Sequence, residues 1–398
     1  MSTNKTDWAE LEKKIFVPVF KRVPVTLVRG KGTKVWDSEG KEYLDFVAGI
    51  AVTSLGHCHP VLVKALTKQA KTLIQTSNLY YSVPQLQLAE LLVNSSCLDR
   101  AFIGNSGAEA VEGAIKLARR YGKVKLDGAY EIITTNDSFH GRTLATTAAT
   151  GQNKMQEPYT PLPTGFVNVP YNDIEAIKAA TTKLTCAVML EPVQGEGGVN
   201  VPADDYLKKV RAWCDKKGIL LVLDEVQTGV GRTGSLYAYQ QYGIEPDIMA
   251  IAKGLGGGVP IGAFLSKEHA CVFKRGEHGS TFGGNPLICA AAFAVLSYII
   301  EKNVPDHVSK MGRYLEDGLK KLAAKHDMIT EIRGKGLLLA VKFKEEIAES
   351  LMLACLENGL LVNNVKPNAL RLMPALIVTK KDIDMALQIL DKVLKERQ

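Results

Sequence analysis

Asp224 follows the apolar run 219–223 and Lys253 follows a second run, 248–252. Runs this short and this apolar predict buried strands of a parallel sheet. The carboxyl ends of parallel strands lie along one edge, where open α/β folds bind ligands. Asp224 and Lys253 are therefore expected in one crevice. A lysine amine there can form an imine with a carbonyl cofactor, while a carboxylate keeps a pyridine nitrogen protonated and makes the ring draw electrons. That pairing describes pyridoxal phosphate chemistry. A lone strand-end lysine is usually only solvated, so the case rests on what else reaches the same edge.

Further strands are predicted at 131–135, 186–190 and 261–265, with helical stretches such as 206–217 between them and a connecting helix between Asp224 and the run at 248. This alternation predicts a mostly parallel, doubly wound sheet. Polar clusters follow three of the strands: Ser138-Phe139-His140-Gly141-Arg142, Glu191-Pro192-Val193-Gln194-Gly195-Glu196, and Asp224-Glu225-Val226-Gln227. Several such clusters on one edge describe a site better than a scaffold. Ser106, Gly107 and Ala108 open a predicted helix with Val111, Ile115 and Ala118 on one face. Free amides at such a start can cup a phosphate.

Two other motifs point elsewhere. Gly229-Val230-Gly231-Arg232-Thr233-Gly234 fits a dinucleotide fingerprint, but it begins five residues beyond Asp224 rather than in a strand-to-helix turn. His57-Cys58-His59 has ligand-type residues, yet alternate positions on a turn before Pro60 rarely converge on one metal; no metal site is predicted. Around these, residues 16–60 read as short extended pieces. Two helices flank 78–81, a short amphipathic helix follows Asp7, and the run 287–300 predicts a buried helix too short to span a membrane.

The 398 residues exceed one ordinary core, which predicts an N-terminal segment over 1–60 belonging to a small domain, a large domain over 61–300, and a small α+β domain over 301–398 with strands at 337–343 and 369–373. A net charge of +7 arises from 49 basic and 42 acidic residues without a like-charged block. This favours small anions over nucleic acid. Seven scattered cysteines predict a reducing, cytoplasmic setting.

Taken in order, these clusters, with Gly56-His57-Cys58-His59-Pro60, Lys253-Gly254-Leu255-Gly256-Gly257-Gly258, Ser280-Thr281-Phe282-Gly283-Gly284-Asn285-Pro286 and Arg371-Leu372-Met373-Pro374, resemble the class III, or ornithine-type, pyridoxal-phosphate-dependent aminotransferases across nearly the whole chain. The resemblance implies transferase fold type I and a homodimer with shared active sites. It implies that Lys253 carries the cofactor and moves the proton, that Asp224 pairs with the pyridine nitrogen, and that Gln227 meets the ring 3′-oxygen. Phe139 and Val226 would sandwich the ring. Ser106, Gly107 and Ala108 would hold the phosphate together with Thr281 of the partner subunit. Among substrate contacts it implies Arg142, Ser280, Arg371 and Glu196. Arg142 would grip the α-carboxylate of an acylated diamino acid, whereas Arg371 would bind that of glutamate and pair with Glu196 in between.

The implied reaction is transamination from N2-acetyl-L-ornithine to 2-oxoglutarate, yielding N-acetyl-L-glutamate 5-semialdehyde and glutamate. Phe20 and Ile50 align with tyrosines of relatives that take free ornithine, and neither can hydrogen-bond a free α-ammonium, which favours an acylated nitrogen. Amino donors such as 4-aminobutyrate, N-succinylornithine or N-succinyl-diaminopimelate are the alternatives.

Overall fold

The computed structural model describes residues 7–397. Seven strands form its central sheet: Arg100–Gly104 (β1), Glu131–Thr135 (β2), Phe166–Val169 (β3), Thr185–Leu190 (β4), Leu220–Asp224 (β5), Ile248–Ile251 (β6) and Gly262–Ser266 (β7). Their spatial order is β1-β7-β6-β5-β4-β2-β3. Only β7 runs against its neighbours; the remaining pairings are parallel. Every strand except β7 therefore ends at one edge.

The strands predicted at 131–135, 186–190, 219–223 and 248–252 are present within a residue or so of those bounds. The one predicted at 261–265 is also present but reversed. The connection from Ile251 to Gly262 is too short for a parallel crossover, which takes about a dozen residues or more. The connecting helix predicted after Asp224 is reduced to Tyr239–Tyr242. In its place the fully buried Glu225 carboxylate accepts the amides of Ala238 and Tyr239 at 2.7 and 2.8 Å and folds the segment into turns. Val230, Gly231 and Gly234 have positive φ within those turns, which is what the glycine-rich run at 229–234 serves.

Strands β4 and β5 are buried throughout because both faces of the sheet are covered. Leu220 and Val222 pack with Val111, Ala114 and Ile115 of helix Gly107–Lys125. Leu221 and Leu223 point the other way, into a core shared with Val295, Leu296 and Ile299 of helix Pro286–Glu301. That helix is the buried one predicted at 287–300. It packs on Pro60–Ala70 and Val83–Asn94, the pair predicted around 78–81. Among the described residues no single helix is long and apolar enough to cross a membrane.

Two four-stranded sheets flank this body. One joins Leu27–Lys31, Lys34–Asp37 and Glu42–Asp45 to Leu360–Leu361, which lies parallel to Glu42–Asp45. The other is antiparallel, in the order Ile329–Lys335, Leu338–Phe343, Ala369–Leu372, Asn363–Lys366. The amphipathic helix after Asp7 spans Trp8–Ile15, and the Asp7 carboxylate accepts the amides of Ala9 and Glu10.

Candidate active site

The common edge of the strands encloses a cavity of about 470 Å³ lined by Ser106, Gly107, Ala108, Phe139, Arg142, Glu196, Asp224, Val226, Gln227 and Lys253, among others. These side chains come from the ends of β1, β2, β4, β5 and β6, so the strand-end rule brings them together. Lys253 follows β6 in a left-handed conformation, φ +41°. Burial lowers the pKa of its ammonium, against the opposing pull of Glu196. Among the described residues nothing hydrogen-bonds its Nζ, so the amine is available to react.

Asp224 closes β5 and is 4% exposed. Its Oδ1 accepts the Val226 amide at 3.0 Å, and its Oδ2 lies 2.8 Å from His140 Nδ1. Burial works against a charged His140, but the hydrogen bond and charge of Asp224, with Glu191 behind, raise its pKa. Glu191 accepts the amides of Phe139 and Gly195, each at 3.0 Å. His140 and Glu191 carried no assigned role in the sequence. The available signal was a histidine between Phe139 and Arg142 after a predicted strand, at the same sheet edge as Asp224.

Glu196 accepts from Arg371 Nη1 at 2.6 Å and from Gln227 Nε2 at 3.1 Å. Gln227 Oε1 in turn accepts from the same Arg371 nitrogen at 3.2 Å. Arg371 is fully buried behind Glu196, with its Nη2 lacking a partner among the described residues. It does not itself line the cavity. Arg142 is exposed at the mouth, 5.6 Å above the Phe139 ring.

Ser280 and Thr281 lie outside the lining. Thr281 is exposed, on a loop whose backbone is held by Gln75 and Asn78, and Ser280 Oγ accepts from Asn105 at 3.1 Å. Phe20 and Ile50 do not line it either; Phe20 is 64% exposed on the N-terminal segment, and Val52 reaches the cavity where Ile50 does not. His57 pairs with Asp45 at 2.7 Å and His59 caps helix Pro60–Ala70. No metal-type cluster exists among the described residues.

The cavity fits pyridoxal phosphate. Helix Gly107–Lys125 begins at its wall, so the amides of Gly107 and Ala108 have no intrahelical acceptor there. The turn is pressed against β7, where a Cβ on Gly262 would collide with the Ser106 carbonyl oxygen. At the opposite end stand a buried carboxylate and an available amine, the donor set that a pyridine nitrogen and an aldehyde require.

Comparison with known proteins agrees. Residues 17–394 match the model of the class-III aminotransferases, and the chain belongs to that family, whose members depend on pyridoxal phosphate. The acetylornithine aminotransferase of Caldanaerobacter subterraneus subsp. tengcongensis is 54% identical, covering 97% of this chain and 98% of its own. That of Methanocaldococcus jannaschii is 51% identical over 99% of each chain. Among solved structures, the ornithine aminotransferase of Toxoplasma gondii superposes with a TM-score of 0.94 at 34% identity, covering 98% of this chain and 96% of its own.

Proposed function

We propose that the protein transfers the terminal amine of N2-acetyl-L-ornithine to 2-oxoglutarate, giving N-acetyl-L-glutamate 5-semialdehyde and L-glutamate, a step of arginine biosynthesis. The observation that carries this reading is the buried Arg371 held at 2.6 Å by Glu196, which lines the cavity together with Lys253. The substrate assignment is supported by the acetylornithine aminotransferases that are 54% and 51% identical over nearly the full length of both chains.

When bound, pyridoxal phosphate supplies a carbonyl that exchanges amines and a ring that accepts an electron pair. The chain does the rest. Lys253 Nζ, whose ammonium form burial disfavours, takes the proton from the amine-bearing carbon of the donor and later returns one. Asp224, which faces His140, would hold a proton on the pyridine nitrogen. Ser106, Gly107 and Ala108 would hold the phosphate, while Phe139 and Val226 would flank the ring. Gln227 would donate its Nε2 to the ring oxygen once that amide turns from Glu196.

Arg142 and Ser280 orient the acylated donor, with the planar guanidinium fork of Arg142 on its α-carboxylate. Glu196 neutralises Arg371 while that donor is bound and yields it to the α-carboxylate of glutamate or 2-oxoglutarate. One site thereby accepts two substrates of different length.

We read residues 1–60 and 301–398 as one small domain against a large one over 61–300; the pairing of Leu360–Leu361 with Glu42–Asp45 supports this. A homodimer is supported by Leu79, Tyr80, Tyr81, Val83 and Phe282, each at least 65% exposed around the Thr281 loop. That apolar face is suited to a second copy that receives Thr281. A cytoplasmic location accords with seven free cysteines.

Single-turnover spectra of the cofactor-loaded protein test the substrate. Conversion is expected to be fastest with N-acetylornithine among N-acetylornithine, ornithine, 4-aminobutyrate and N-succinyl-diaminopimelate. Faster conversion of 4-aminobutyrate would move the enzyme to another pathway.

A further inference from the structure

Arg371 does not act from an isolated position. Arg333 on Ile329–Lys335 is paired with Ala340 on Leu338–Phe343, and Ala340 is paired with Arg371 on Ala369–Leu372. Residues in register across neighbouring strands project to the same face. Arg333 and Arg371 are therefore two cations on one rung, separated by the fully buried, small Ala340.

Both engage the same loop. Arg371 holds the Glu196 carboxylate, and Arg333 Nε donates to the carbonyl oxygen of Gly198 at 2.9 Å. Between the two contacts, Val193 and Val199 of the loop pack in one buried cluster with Ala340, Leu338 and Met373 of the sheet. Gly198 has φ +117°, and a Cβ there would come within 2.9 Å of Arg333 Nη2 and 3.4 Å of Lys366, so the backbone lies directly beneath those side chains. Lys366 in turn bonds Asp137 at 2.7 Å, next to the Phe139 segment. Arg333 also has a weaker contact with Glu331, 3.4 Å away.

We propose that Arg333 is a positioning residue that pins the Glu196 loop to the sheet carrying Arg371, and so sets how strongly Glu196 competes with a dicarboxylate for that arginine. The inference rests on the two-substrate reading above. Its physical basis is effective concentration: Glu196 and an incoming carboxylate compete for one guanidinium, and a loop fixed two residues away keeps Glu196 at short range in the right orientation. Without the pin Glu196 is a weaker competitor, so a dicarboxylate binds more tightly. A merely structural arginine would have the opposite effect, weakening binding when removed.

The test is calorimetric titration of the cofactor-loaded enzyme with glutarate, a dicarboxylate lacking both carbonyl and amine. Arg333→Ala is expected to tighten glutarate binding about five-fold, and Arg333→Lys, which can again donate to Gly198, to return it toward the parent value. In a Glu196→Gln background, Arg333→Ala is expected to change nothing, because the competitor is already gone. Unchanged or weaker binding in Arg333→Ala, or the same change with and without Glu196, overturns the proposal. Failure of the underlying reading looks different: Arg371→Ala would then leave glutarate binding intact, and both proposals fall together.

Discussion

Glu191 and Glu196 stand five residues apart after the same strand, β4, yet they titrate in opposite directions. Burial raises both. Glu191, 5% exposed and held by two backbone amides, rises to about 7, because the counteracting charge of His140 is opposed by that of Asp224. Glu196 meets the same burial penalty but falls to about 2, because Arg371 and Lys253 face it. Amide donors alone do not offset desolvation here; a facing guanidinium does. On the proposed reading, Glu191 belongs to a floor in which His140 faces Asp224, and Glu196 is a gate that competes for Arg371.

Removing the gate's cation is expected to have the largest effect. Arg371→Ala should slow the half-reaction with 2-oxoglutarate by about 100- to 1000-fold and leave the acetylornithine half-reaction much less affected, as separate single-turnover measurements would show. Equal losses would break the two-substrate model. At the floor, His140→Ala removes the donor to Asp224 Oδ2 and should cost about 10- to 100-fold. That loss should fall equally on both half-reactions, since Asp224 serves each. A loss confined to one half-reaction would place His140 at the gate instead.

The third effect is read in stability against pH rather than in rate. The folded pKa of Glu196 lies below its ordinary 4.5, so its contribution is complete above about pH 4.5 and is lost as pH falls toward 2. That contribution is on the order of 2–3 kcal/mol. The folded pKa of Glu191 lies above 4.5, so its contribution is complete below pH 4.5 and is lost as pH rises through about 7. Urea midpoints across pH should therefore flatten in the lower window for Glu196→Gln and in the upper window for Glu191→Gln. Some upper slope should survive in Glu191→Gln, because the buried Glu225 also rises to about 7. Flattening of the same window by both variants would erase the contrast.

Local pattern was enough to locate much of this molecule. The runs before Asp224 and Lys253 read as buried strands because a strand covered on both faces is apolar at every position, and the strand-end rule then joined the two residues. Helix Tyr206–Lys217 and the buried helix at 286–301 were equally legible. Edge strands were not: β3 is four residues long and half exposed, and β1 starts at the exposed Arg100, so neither carries a strong apolar signal. The segment after Asp224 was misread as helical because its geometry depends on Glu225 reaching amides more than ten residues away.

Resemblance named Arg371 and Glu196 and implied their pairing, but it did not show Gln227 drawn into the same contact rather than lying free for a ring oxygen. Nor does any local pattern separate Glu191 from Glu196, or show that His140 faces Asp224 from 84 residues away. Periodicity is carried by neighbours in sequence, so elements and strand ends can be read from it. Ionisation and pairing are set by the charges and dipoles that lie opposite in space, and tertiary packing chooses those.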